Sequence, residues 1–188
     1  MRLGIFGGTF NPIHWGHLLL AETARETLAL DRVVFIPTSK PPHKSARDLL
    51  PGEVRLQLIT LAIQGHPAFV ASDIELQRPG VSYSIDTVRI LHQRLPQAKL
   101  FLIVGADMFG VRWVSWKEIA ALCTVVVAHR PGARAIRREA GVRWLPMPQV
   151  EIASSDIRAR LRNGRSIRYL VPSAVERYLR THQLYSRG

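Results

Sequence analysis

Apolar positions along this chain fall into short blocks set apart by polar segments rich in glycine and proline. RLGIF at 2–6 is a compact apolar strand that runs into Gly7 and Gly8. HLLLAETARETLA at 17–29 spaces its apolar residues as a helix does. RVVFIP at 32–37 is a second strand, rich in β-branched residues and stopped by Pro37. The first 37 residues therefore predict one strand–helix–strand unit with a glycine turn. TSKPPHKSARDLL at 38–50 is a polar loop, and PGEVRLQLITLAIQG at 51–65 is a helix between Pro51 and Gly65. AFVAS and IELQ, within 68–77, predict a strand or bent ribbon, and SIDTVRILHQRL at 84–95 a helix. AKLFLIVG at 98–105 is apolar throughout, the pattern of a parallel strand covered on both faces. A short helix at 115–122, a strand at 123–129 and a weaker strand at 142–147 follow, and helices at 154–164 and 172–182 close the chain.

This alternation predicts an α/β fold with a doubly wound parallel sheet, Rossmann-like in kind. Ligands of such sheets bind outside the carboxyl ends of the strands. The chemically distinctive segments fall there, after the strands at 2–6, 32–37, 98–105 and 123–129. The 188 residues suit one domain, 1–188, with a small helical C-terminal part from about 154 to 188. With 47% hydrophobic residues the chain is globular, and no apolar run approaches the roughly 18 residues of a membrane span. The opening Met1-Arg2-Leu3-Gly4 lacks the apolar core of a signal peptide. A lone cysteine, Cys123, excludes an internal disulfide framework and a multi-cysteine zinc site. These features predict a cytoplasmic protein without a membrane partner.

Charge changes the picture in one region. Residues 1–128 hold 13 Lys and Arg against 10 Asp and Glu, whereas residues 129–188 hold 13 against 4. The excess in the last third fits nucleic-acid binding, a site for a small polyphosphate, or an arginine-rich solvated surface.

GIFGGTFNPIHWGH at 4–17 carries the sharpest chemistry. Its glycines fit neither the dinucleotide fingerprint nor the Walker A loop. Gly7 and Gly8 let backbone amides, with Thr9 and Phe10 after them, come close to a ligand. His14 and His17 stand three apart where a helix begins, so their rings can share a face beside orphan amides that favour anions. The bland alternative is one structural and one surface histidine. A metal site lacks a nearby carboxylate or cysteine, so no protein-held metal is expected. IASSDIR at 152–158 adds Ser154 and Ser155 at a helix start, able to cap it or to offer hydroxyls to phosphate. Arg158 there can fork onto phosphate oxygens.

HWGH resembles the H-x-G-H signature of the nucleotidyltransferase superfamily, in which the histidines stabilise charge at the α-phosphate of ATP. IASSDIR resembles the I-S-S-T-x-I-R motif of nucleotide adenylyltransferases, with Ala153 and Asp156 as departures. Together GGTFNPIHWGHL, PPHK, SYSIDT, GAD, HRPG and SSDIR, in this order over 7–158, resemble the bacterial nicotinate-nucleotide adenylyltransferase family.

That resemblance implies adenylyl transfer from ATP to nicotinate mononucleotide in NAD synthesis, with Mg²⁺ entering beside ATP. It implies catalytic roles for His14, His17 and Arg158. Gly7, Gly8, Thr9, Phe10, Gly105, Asp107, Arg130, Ser154 and Ser155 join them in binding ATP. Asp107 is placed for the adenosine ribose, and Arg130 and Lys44 for polyphosphate or substrate. Tyr83, Ser84, Asp86 and Thr87 line the acceptor, although Ser82 or Ser84 can equally cap the helix at 84–95. Trp113, favoured over Trp116, stacks on the pyridine ring. Rival readings are a dual-specificity or amide-preferring enzyme and a relative that binds nucleotide or nucleic acid without catalysis. A homo-oligomer is left open.

Overall fold

The computed structural model describes residues 1–40, 48–105, 113–129, 142–148 and 150–186. Six strands form one sheet: β1 Arg2–Gly8, β2 Arg32–Pro37, β3 Phe69–Ala71, β4 Lys99–Val104, β5 Thr124–His129 and β6 Val142–Pro146. Every pair is parallel and the order is β3-β2-β1-β4-β5-β6. The described helices are α1 Trp15–Thr27, α2 Gly52–Ile63, α3 Ser84–Arg94, α4 Trp116–Leu122, α5 Ser154–Arg162 and α6 Ser173–Thr181.

The strands are apolar at successive positions because both faces of the sheet are covered. Leu3, Ile5, Val34, Ile36, Leu102 and Val125 point to one cluster, closed by Val88 of α3 and Ile119 of α4. Phe6, Val33, Phe35, Ile103 and Val126 point to the other, closed by Ala21 and Ala24 of α1 and Leu58 and Ile59 of α2. Neighbours in sequence thus serve opposite cores, as the two-residue period of a strand requires. Each such fully buried side chain contributes about 1.5–3 kcal/mol of transfer free energy. Ile157 of α5 and Val175 and Leu179 of α6 join the α1–α2 cluster. The closing helices therefore pack on the same face as the first helix.

The chain reverses direction across the sheet between β1 and β4, where crossovers leave to opposite faces. This switch point leaves a crevice at the carboxyl ends of the two strands. Gly8 ends β1 there, and Gly105 follows β4.

Three expectations need correction. α1 begins at Trp15, two residues before the predicted start, because His14 already occupies the extended N-cap position. IELQ at 74–77 is no strand. The carbonyl of Asp73 accepts from the amides of Leu76 and Gln77, at 2.7 and 3.1 Å, which winds the segment into a tight turn. No serine caps α3 or α5: Tyr83 and Ala153 hold the extended N-cap positions, and neither helix start has a side-chain cap.

Candidate active site

The loop between β1 and α1 is the centre of the site. His14 and His17 stack with ring centroids 3.6 Å apart and planes at 27°. His14 N–H donates to His17 Nδ1 at 3.2 Å. A neutral His17 must then carry its proton on Nε2, where it is a donor. Phe10, 1% exposed and with φ of 47°, fixes the other side of this ring, centroid to centroid at 5.0 Å. Its side chain is core, so Phe10 serves a ligand only through its backbone.

His14 is 6% exposed, and its Nδ1 is buried without a hydrogen-bond partner. Burial pushes its pKa down to about 4, so the ring is neutral at neutral pH. The glycine of HWGH has a packing cause. A Cβ on Gly16 would stand 3.1 Å from His14 Nδ1. Gly7 and Gly8, expected as a turn, are instead the last two residues of β1, paired with Ile36 and Pro37, and the two differ. A Cβ on Gly8 would meet the Phe10 ring at 3.0 Å, whereas one on Gly7 would meet no protein atom within 4 Å. Packing explains Gly8, whereas the space beside Gly7 is open.

Residues remote in sequence hold this loop. Arg158 Nη1 donates to the carbonyl of Asn11 at 2.8 Å, and Ser154 Oγ donates to the carbonyl of Pro12 at 2.9 Å. The two motifs of the sequence, HWGH and SSDIR, are thereby brought side by side. Ser154 spends its one hydroxyl proton on Pro12, so it docks α5 and has none left for a phosphate. Ser155 is exposed and its hydroxyl lies 3.4 Å from Asp156 Oδ1. Arg158 Nε is buried without a hydrogen-bond partner.

Sequence reading missed three further supports. Arg55 of α2 is 1% exposed and donates to the carbonyls of Leu50 and Thr9, both at 2.9 Å. Burial pulls its pKa down, yet a guanidinium stays charged, so a cation lies buried behind the β1–α1 loop. Asn11 donates to the Asp48 carbonyl at 2.7 Å and accepts from Leu50 N–H at 3.1 Å. Tyr185 also donates its hydroxyl to Asn11 Oδ1, and burial raises the pKa of that phenol. Arg55 sits in a mostly apolar helix whose sequence has no one-sided pattern, and Tyr185 lies 174 residues from its partner. Neither carries a local signal.

On the acceptor side, Tyr83 is exposed and Ser84 half-buried at the start of α3. Asp86 faces Arg89, with 3.3 Å between Oδ1 and Nη1. Thr87 departs from the expected ligand contact. It is 2% exposed and its hydroxyl donates to Glu75 at 2.8 Å, which places it beneath the turn. Trp113 and Trp116 meet edge to face at 6.1 Å and pack on the α3–α4 core. Lys44, Asp107 and Arg130 lie outside the described residues. A groove of about 320 Å³ runs beside Ser82, Asp86 and Arg89. A cavity of about 420 Å³ near α1 is mostly apolar and shares only Trp15 with the histidine motif, so it suits packing and not a triphosphate.

Stacked imidazoles beyond the end of β1, and a half-buried arginine that holds their loop, place the candidate site at the switch point of a parallel α/β sheet. The sequence profile of the cytidylyltransferase-like family matches residues 5–160. A Thermus thermophilus protein named "probable nicotinate-nucleotide adenylyltransferase" is 44% identical over 98% of this chain and 100% of its own length. One from Geobacter sulfurreducens with the same name is 42% identical over 99% of both chains. Among solved structures, the Plasmodium falciparum nicotinic acid mononucleotide adenylyltransferase complexed with NaAD shares the fold. Its TM-score is 0.79 at 16% identity, over 98% of this chain and 97% of that one. The chain belongs to the cytidylyltransferase-like family and, within it, to the nicotinate-nucleotide adenylyltransferases.

Proposed function

We propose that this chain transfers the adenylyl group of ATP to nicotinate mononucleotide, giving deamido-NAD and pyrophosphate. The stacked His14–His17 pair, with open space beside Gly7 at the end of β1, carries the reading. An oxygen of the mononucleotide phosphate attacks the α-phosphorus of ATP, and the bond to pyrophosphate breaks. A phosphate monoester needs no general base at neutral pH, so the work is positioning and charge stabilisation.

His17 supplies an Nε2–H donor, and the loop amides up to Phe10 supply more, for charge that grows at the α-phosphate. Arg158 and the exposed Ser155 face the leaving pyrophosphate, and buried Arg55 adds positive field from behind. Among the described residues no cluster of three or more His, Cys, Asp or Glu is placed to hold a metal. The donor set here suits an ion carried by the nucleotide's own phosphates and water. Mg²⁺ supplies neutralisation of phosphate charge when it enters with ATP. The cytoplasm is the expected setting, and among the described residues no helix is long and apolar enough to cross a membrane.

The test is pyrophosphate release with ATP and Mg²⁺, comparing nicotinate mononucleotide with nicotinamide mononucleotide at equal concentration. Preference for the acid supports the reading. Equal rates make the enzyme dual-specific, and no release with either overturns the acceptor assignment.

A further inference from the structure

The turn that leads into α3 rests on a buried polar cluster that the reaction does not use. Glu75 is 5% exposed, and its Oε1 accepts from Thr87 at 2.8 Å. Thr87 Oγ1 in turn accepts from Arg78 Nη2 at 2.9 Å. Glu75 Oε2 is buried without a hydrogen-bond partner. Ser82 ties the same turn to the chain that leaves β2. Its hydroxyl accepts from Ser39 N–H at 3.2 Å, and its own N–H donates to the Lys40 carbonyl at 3.2 Å. The carboxylate thus holds the first turn of α3, and Ser82 holds the segment before it to the chain that leaves β2. Tyr83 and Ser84 are suspended between two tethers, Ser82 on Ser39 and Lys40, and Thr87 on Glu75.

We propose that Glu75 is a positioning residue that fixes the Tyr83–Ser84 turn for the acceptor nucleotide and leaves the ATP side alone. This rests on the reading of that turn as the seat of nicotinate mononucleotide. The hydrogen-bond directions are those of an ionised Glu75. A hydroxyl has one proton, and Thr87 must give it to Glu75 because Arg78, a pure donor, takes its lone pair. Removing the hydroxyl strands a buried carboxylate oxygen and a guanidinium N–H together, so the turn must shift to find new partners. The phosphate side has its own hydrogen-bonded supports, Asn11, Arg55 and Ser154. Glu75 acts on Arg55 through charge, which a substitution at Thr87 leaves in place.

The experiment uses Thr87→Val, close in shape without the hydroxyl, and Thr87→Ser, which restores it. KM for each substrate, kcat and thermal unfolding are measured, with amide hydrogen exchange of residues 82–85. A displaced turn raises KM for nicotinate mononucleotide about tenfold in T87V, within the range that small misplacements cost. KM for ATP changes less than about twofold by the same reasoning. T87S recovers the wild-type value, and amides 82–85 exchange faster in T87V only. A fall in Tm with both KM values unchanged, or an equal rise in both, overturns the proposal.

If T87V does not fold, Ser82→Ala cuts the second tether at a half-buried site and is expected to give the same one-sided rise. Unchanged exchange at 82–85 overturns the positioning role even in an active enzyme. Failure of the wild type to use the mononucleotide overturns the function reading instead.

Discussion

The two sides of the site are built by different means. On the phosphate side, the β1–α1 loop is held by partners far away in the chain: Arg55 on Thr9, Ser154 on Pro12, Arg158 and Tyr185 on Asn11. On the acceptor side, Glu75, Arg78 and Thr87 are within twelve residues of one another, and only Ser82 reaches back to Ser39. The first side is a convergence of the whole fold, the second a local brace. Catalytic charge stabilisation needs donors that do not move as charge develops, which a convergence provides. A seat for an acceptor can be adjusted locally without disturbing that machinery, and variation in acceptor preference is expected to map there.

The largest effect expected from breaking this contrast is at His17. His17→Ala should lower kcat about 100- to 1,000-fold, the range for loss of one donor to a developing charge. The mid-point of urea unfolding should move far less, because the side chain is only half-buried. A histidine that served the core alone would show the reverse.

Arg55→Met comes next, and its effect falls on stability. It strands the carbonyls of Thr9 and Leu50 at a buried site, and about 3 kcal/mol of unfolding free energy should be lost. Denaturant titration reads this directly, and a loss below 1 kcal/mol would show the loop to be held by other means.

His14 gives the contrast a pH signature. Its pKa is about 4 in the fold against 6.5 for an ordinary histidine. Between those values the unfolded chain binds a proton that the native chain does not, so stability rises with pH. The contribution is complete above pH 6.5 and is lost as pH falls to about 4. Its size is about 3 kcal/mol from the linkage relation. Urea titrations of wild type and His14→Gln across that window should differ in slope, with the variant flatter. Parallel curves would mean that His14 is not desolvated.

Tyr185→Phe is the mildest change. It removes one hydrogen bond to an Asn11 that keeps its Leu50 and Asp48 partners. About 1 kcal/mol is expected, visible as a small shift in Tm.

Most of the architecture was legible in the chain because parallel strands are apolar on both faces and stop at Gly and Pro. β2 was placed to the residue, at Arg32–Pro37. The short β3 was overextended through 74–77, since Ile74 and Leu76 look like strand residues until Asp73 and Glu75 are seen to wind and anchor the turn. The motif residues were legible because their chemistry is local: two histidines a helical turn apart, two serines and an arginine at a helix start. Their roles were less so. Ser154 reads as a cap or phosphate ligand, but the carbonyl that takes its proton is 142 residues away. Thr87 reads as a ligand contact because it sits beside Tyr83 and Ser84, and only the fold reveals Glu75 beneath it. Asn11 stands inside the quoted motif with no role legible there, and Arg55 and Tyr185 have no local signal, because a long-range hydrogen bond has no period or spacing in sequence.

The hydroxyl of Tyr185 on Asn11 also joins two stretches 174 residues apart. The histidine loop thereby takes one of its partners from beyond every strand of the sheet. Fraying of the chain near Tyr185 and movement of the histidine loop are therefore coupled, by no more than the one hydrogen bond that joins them.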